Sequence, residues 1–291
     1  MENIFKQNLK EKSPRPGGPF IIQMLFKEPV LMPGKDEMTA IMEKHIGSVE
    51  CFCHDKKTAG FAALDHIAEF KDGKTPVQLM VMGCNRFEGK GFDAFLMSQM
   101  WDCMEDRERI FCECQYQVIA TDMLTAALPE LERANLDMDF LDALAALYPT
   151  CEAFYFQNCG KLFLAEDVRS HHIDGSDRFI RFGVNARFFN IQDTDDMIVD
   201  TVGMSTLFLP DLQYHFHDMD PNWVVNHAYN LASYILQNGN PIQDDETVDG
   251  VINGAMSREV QWRCRYEEAL IQPLREVLDV CMGEYASGER H

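Results

Sequence analysis

Positive charge is scarce in this chain. Only 26 lysines and arginines stand against 47 aspartates and glutamates in 291 residues, a formal charge of −21, and the acids are spread along the sequence rather than gathered in one tail. Such a field repels a nucleic-acid backbone and an anionic membrane surface, and it steers basic partners inward. Long apolar runs are missing as well: no window approaches the roughly 18 apolar residues of a membrane-spanning helix. The first nineteen residues, "MENIFKQNLKEKSPRPGGP", carry charges and prolines where a secretory signal needs an unbroken apolar core. The expectation is a cytoplasmic protein that binds neither nucleic acid nor membrane. Complete catalytic motifs are absent too. There is no H-E-x-x-H and no P-loop spacing; "GKGFDA" has Ala94 where a third dinucleotide-binding glycine belongs, and "GMSTL" ends in Leu207 where a nucleophile elbow needs a small residue.

What is present is ample core material, with 46% hydrophobic residues. Ten cysteines sit mostly inside apolar runs such as "VECFCH", "IFCECQYQVI" and "DVCMG", which reads as reduced, buried thiols in a reducing compartment. Closed zinc sites space their thiols by two to four residues, and the single-residue spacings Cys51/Cys53 and Cys112/Cys114 favour two thiols packed on one strand face.

Residues 1–19 read as a flexible lead-in. From Phe20 strand and helix patterns alternate: "FIIQMLF" is a strand, "PGKDEMTAIMEKHIG" a helix, "VECFCH", "TAGFAAL" and "TPVQLMVMG" strands, and "GKGFDAFLMSQMWDCMEDRE" a helix. The series then restarts with a strand in "CQYQVIATDM", a helix in "DMDFLDALAALYP", a strand pair in "CEAFYFQN" and "KLFLAEDV", and a longer strand in "RFIRFGVNARFFNIQ". "DEMTAIMEKHIGSVECF" lies over "MDFLDALAALYPTCEAF" with matching Glu50/Glu152 and Phe52/Phe154. The pattern predicts an α+β fold with mixed or antiparallel sheets and helices on one face, built as two related ferredoxin-like βαββ-type halves, 20–114 and 115–291. The clearest helix is "DPNWVVNHAYNLASYILQNG", with Asp220 as cap, Pro221 in its first turn and Gly239 as its stop.

The densest cluster of functional side chains is "DLQYHFHDMD". Strand alternation puts Leu212, Tyr214 and Phe216 on one face and Gln213, His215 and His217 on the other. Two readings stand side by side. In one, the polar face is solvated and Asp220 caps the next helix. In the other, His215 and His217 hold a divalent metal with Asp218 or Asp220, completed by His227 or the His171/His172 pair. The acid groups Asp137/Asp139 and Asp193/Asp195/Asp196 read as solvated loops and helix starts. Arg258, Arg263, Arg265 and Arg275, interleaved with Trp262 and Tyr266, make either an interaction surface, with Arg263 and Arg265 as candidate binding residues, or internal counter-charge.

"GMSTLFLPDLQYHF" followed by "DPNWVVNHAYNLASYILQNGNPIQDDETVDG" resembles the core of the DUF4261 family, over about Thr201 to Trp262. The resemblance implies a bacterial, intracellular α+β protein. The family's activity is uncharacterised, so no catalytic residues carry over. With the charge, it leads to the expectation of a non-enzymatic binding or regulatory protein, without a required cofactor, that recognises a basic protein as an immunity-type inhibitor does. The competing expectations are a metal-dependent hydrolase on His215 and His217, and a structural homo-oligomeric subunit.

Overall fold

The computed structural model describes residues 18–288, and the chain divides into two compact units, 18–183 and 184–288 within the described residues. The protein is α+β, with one antiparallel and one mixed sheet. The lead-in expected over residues 1–19 lies, apart from Gly18 and Pro19, outside the described residues. No helix among the described residues is long and apolar enough to cross a membrane.

In the 18–183 unit the chain runs β1 (Ile21–Phe26), α1 (Lys35–Ile46), β2 (Val49–His54), β3 (Thr58–Phe70), β4 (Gly73–Met82) and the short β5 (Asn85–Arg86). Two short helices follow, α2 (Ala94–Ser98) and α3 (Arg107–Glu113), then β6 (Tyr116–Met123), α4 (Glu130–Leu147), β7 (Ala153–Phe156), β8 (Lys161–Leu164), α5 (Ala165–Ser170) and α6 (Asp177–Gly183). The strands lie in the order β2-β3-β4-β6-β1-β7-β8, with β5 also on β6. Both runs, β1-α1-β2-β3 and β6-α4-β7-β8, therefore belong to one sheet, with β1 between β6 and β7. A boundary between residues 114 and 115 does not separate compact units for that reason: β6 pairs with β1 along its length, from Ile21↔Thr121 to Phe26↔Tyr116. The division falls at Gly183/Val184 instead.

Alternation fixes the two faces of this sheet. Ile22, Met24, Phe26, Val118, Ala120, Phe154 and Phe156 form one buried face, and α1 and α4 pack side by side, with Phe26 meeting Tyr148 at the end of α4 at 5.9 Å between ring centroids. The opposite face carries Gln23, Leu25, Gln117, Ile119 and Tyr155. Part of it is covered by the 84–114 segment through Met100, Cys103, Ile110 and Cys114.

Several elements differ from the sequence expectation. The single helix expected from Gly89 is broken into α2, a turn at Trp101–Cys103, and α3. Consequently Cys112 is an exposed helical residue while Cys114 is buried, and the two thiols do not share a strand face. The first half of "RFIRFGVNARFFNIQ" is helix α6, burying Phe179, Ile180 and Phe182, and only its second half is a strand.

The 184–288 unit contains β9 (Asn185–Asn190), β10 (Met197–Val202), β11 (Asp211–Phe216), α7 (Pro221–Asn238), β12 (Thr247–Ile252), β13 (Ala255–Glu268) and β14 (Glu276–Cys281). Its sheet order is β12-β13-β14-β11-β10-β9, with β11 and β14 parallel and every other pair antiparallel. Asp220 caps α7 by accepting from the Asn222 amide at 2.9 Å, Pro221 stands in the first turn, and Gly239 ends the helix at φ 65°. Of the stripe that the spacing predicts, Trp223, Val224, His227, Leu231, Tyr234 and Ile235, four residues, Val224, His227, Leu231 and Ile235, are buried, whereas Trp223 is only partly buried and Tyr234 is half exposed.

Candidate functional site

In the 184–288 unit β11 is a central strand, and all six of its residues are buried. The expected wet face is thus a buried polar face. In register across five strands runs the row Arg187 (β9), Asp200 (β10), Gln213 (β11), Asp279 (β14) and Arg265 (β13). Asp200 and Asp211 are 0% exposed. Carboxylates so placed are tolerable only when cations and hydrogen bonds compensate their lost hydration.

Two arginines supply that compensation. Arg187 donates through Nε and Nη2 to the two oxygens of Asp200, at 2.8 and 2.5 Å. Arg275 bridges both acids, Nη2 to Asp200 at 2.8 Å and Nε to Asp211 at 3.1 Å. The second oxygen of Asp211 accepts from Thr201 Oγ1 at 3.2 Å and from the Met204 amide at 3.1 Å. Burial raises the Asp211 pKa against the pull of Arg275. Burial alone would lower that of Arg275, but Asp211 and Asp200 outweigh it and raise it. The 269–275 segment ties onto the same network. The Leu270 amide donates to Gln213 Oε1 at 2.8 Å, Gln272 O accepts from Arg187 Nη1 at 2.8 Å, and Pro273 O accepts from Arg275 Nη1 at 2.8 Å. Two guanidinium groups thus balance two carboxylates.

Residues 200–281 match the family model of DUF4261, a domain of unknown function. The matched region reaches beyond the expected end near Trp262 to include Arg275 and β14, so it holds all of this charge lattice except Arg187. No curated protein and no solved structure matches the chain.

The predicted site residues distribute themselves around this lattice. His215 lies on the same face of the sheet as Gln213, with Nε2 at 3.4 Å from Asp196. His217 Nδ1 is 3.0 Å from Ser287 Oγ, whose proton goes to Asp196 Oδ1 at 2.8 Å. The bond from His217 then requires Nδ1 to carry its own proton, which is the wrong direction for a base activating that serine. Asp218 sits in the turn after β11 at φ 53°, its side chain 81% exposed, and Asp220 is committed to the cap of α7.

His227 lies on the other face of the sheet. Tyr214 OH bonds its Nδ1 at 2.9 Å, and its Nε2 donates to Asp249 O at 2.8 Å, a pair that defines the neutral tautomer. Burial lowers its pKa accordingly. His171 is bound to Asp142 at 3.1 Å within the 18–183 unit. His227 therefore does not complete a set with His215 and His217, and among the described residues no three His, Cys, Asp or Glu side chains are grouped to hold a metal ion.

Arg263 and Arg265 point outward from β13 while Trp262, Cys264 and Tyr266 point into the core. Arg265 pairs with exposed Asp245 at 3.0 Å. Arg275 is the internal counter-charge of the four.

A second buried acid cluster lies in the 18–183 unit and corrects the reading of Asp137 as a solvated helix start. Helix α4 begins seven residues earlier than "DMDF" suggests, at Glu130, so Arg133 and Asp137 fall one turn apart on its buried side. Asp122 accepts from Arg133 Nε and Nη2 at 3.0 and 2.8 Å, from the Phe20 amide at 2.6 Å, and from Thr125. Asp137, 0% exposed, lies 3.7 Å from Arg133 Nε and has no hydrogen-bond acceptor role filled. Burial, reinforced by the Asp122 charge, raises its pKa well above the carboxylate range.

Sequence reasoning missed Arg187, Asp200, Asp211, Asp279 and the Asp122/Arg133/Asp137 group. A signal existed: "MIVDTV" and "VLDVC" each place one carboxylate inside a mainly apolar strand, a pattern that requires a buried partner.

Proposed function

We propose that the chain is a non-enzymatic binding protein whose acidic surface captures a basic protein partner. The observation that supports this reading is where the charges lie. The buried cations, Arg133, Lys161, Arg187 and Arg275, pair with carboxylates in the interior: Asp122, Asp102, Asp200 and Asp211. Those four cations stand against six buried carboxylates, Asp122, Asp137, Asp200, Asp211, Glu276 and Asp279, so all but a small part of the surplus behind the net −21 is carried on the outside. A surface of one sign accelerates encounter with a cationic partner and disfavours polyanions. The lattice behind it acts as rigid support, with its charged groups already committed to one another. An inhibitor that masks a basic effector fits this chemistry, and ten cysteines, none of them in a disulfide among the described residues, suit a reducing cytoplasm.

The test is affinity capture at low ionic strength, followed by titration of the purified partner over a salt series. Binding by a basic protein, with affinity falling steeply as salt rises, supports the reading. An acidic partner, or affinity indifferent to salt, sinks it.

A further inference from the structure

The sheet face of the 18–183 unit that α1 and α4 leave free is only partly covered by the 84–114 segment. Beside that cover lies a cleft of about 580 Å³, lined by Gln23, Gln117, Gln157, Tyr155, Phe92 and Lys90 among others. Its size suits a small organic ligand.

The floor is a chain of amides. Gln117 Nε2 donates to the backbone oxygen of Arg86 at 3.3 Å and to Asn85 Oδ1 at 2.8 Å. A backbone carbonyl only accepts, so this contact fixes which end of Gln117 is nitrogen, and the rest follows. Gln23 Nε2 donates to Gln117 Oε1 at 2.5 Å, and Gln157 Nε2 donates to Gln23 Oε1 at 3.0 Å. Both hydrogens of Gln117 are then used. Gln23, only 5% exposed, keeps one N–H and one lone pair, and Gln157 keeps its carbonyl oxygen. The cleft therefore presents a donor beside acceptors, held in place by a network that Gln23 cannot leave for water.

The walls are aromatic. Phe92 lies 4.9 Å from Tyr155 in an edge contact and 4.2 Å from Phe111. At the rim Lys90, paired with Glu88, is carried between Gly89 and Gly91, whose φ angles of 63° and 95° bend the loop around the opening. Arg86 closes the other side, its guanidinium 4.7 Å above the Tyr116 ring.

We propose that this cleft binds a nucleobase, carried by a nucleoside or a mononucleotide. A planar base offers adjacent donor and acceptor atoms that a glutamine amide matches, and a π-face that aromatic walls receive. The rim cations can reach a single phosphate, whereas the overall −21 charge keeps out a nucleic-acid strand.

Calorimetric titration of the full chain with adenosine, guanosine, cytidine and uridine, and with their 5′-monophosphates, tests the proposal. Saturable binding of at least one base is expected. Gln23→Leu should weaken it about tenfold or more by removing the edge contacts, and Tyr234→Ala, in the other unit, should leave it unchanged. Should Gln23→Leu fail to give the wild-type circular dichroism spectrum, Gln157→Ala, at an exposed position, removes the terminal acceptor with no core cost. A loss in Lys90→Ala confined to the monophosphates assigns phosphate to the rim, and equal losses or none assign the site to base and sugar; both outcomes keep the base site. Absence of saturable binding by every one of these ligands, or binding untouched in a folded glutamine variant, overturns it.

Discussion

Replacing Asp137 with asparagine is expected to stabilise the 18–183 unit at neutral pH, by a margin that grows with pH. The guanidinium of Arg133 is given to Asp122, and Asp137 sits in the same fully buried group with no cation of its own. Its folded pKa is raised by burial and by Asp122, so in the folded state it holds a proton that the unfolded chain releases above the ordinary carboxylate pKa, 3.8. The sign follows directly. The contribution is fully present below that ordinary value and is lost as pH rises toward the folded pKa, at about 1.4 kcal/mol per pH unit for one proton. Asparagine keeps the shape, needs no proton and removes that slope. Hydrogen exchange of the α4 amides reports opening of this unit alone, and the wild-type and variant opening free energies should diverge by that slope as pH rises from about 5 toward the folded pKa. Parallel curves over that range would mean that Asp137 ionises alike in both states, and the argument from burial would fail.

Arg275→Met leaves Asp200 and Asp211 with Arg187 alone and should cost about 3–5 kcal/mol in urea unfolding of the 184–288 unit; a loss under about 1 kcal/mol would show the lattice to be solvated. Asp220→Ala should cost about 1 kcal/mol through the lost cap of α7, while Asp218→Ala, at an exposed turn, should stay within about 0.5 kcal/mol. The His227 pKa is lowered from its usual 6.5 by burial. Stability linked to it is present above that value and lost as pH falls toward the folded pKa, and the imidazole Cε1 proton resonance should titrate below 6.5. Thiol labelling should mark exposed Cys112 ahead of Cys103 and Cys114, whose pKa values burial pushes up to about 11, and Cys151 and Cys264, pushed up to about 12; equal rates across the set would contradict the burial pattern.

Local signals in the sequence carried most of the elements and little of the site. Helix α7 is legible because Asp220, Pro221 and Gly239 mark its ends within the same twenty residues. The strand core of β1, β4 and β6 is legible from runs rich in apolar residues, each interrupted by a glutamine. Strand β11 was misjudged because alternation reports which residues share a face, not whether that face meets water. Its polar side is buried by a segment some sixty residues downstream, and its counter-charges come from Arg187 and Arg275. No window spans those separations. Asp137 failed differently: the helix start was placed at the aspartate, and moving it to Glu130 turns a terminal acid into an interior one. The amide chain of Gln23, Gln117 and Gln157 was equally invisible, since Gln23 and Gln117 alone are unremarkable strand residues, Gln157 stands in the turn after β7, and only the fold of the sheet aligns them.

The position of β14 bears on the order in which the 184–288 unit assembles. Strands β9, β10 and β11 form one antiparallel meander and β12, β13 and β14 another, and in the sheet the two join only through the parallel pair β11–β14. Pairing of β14 with β13 is local, whereas α7, β12 and β13 lie between β11 and β14 in the sequence. Until that last pair forms, β11 and β14 each present an open edge, so closure of the sheet is a late, non-local event. A partly folded chain at that stage offers its β11 edge to the β14 strand of a neighbouring copy, and exchange of that strand is the misassembly this order of events favours.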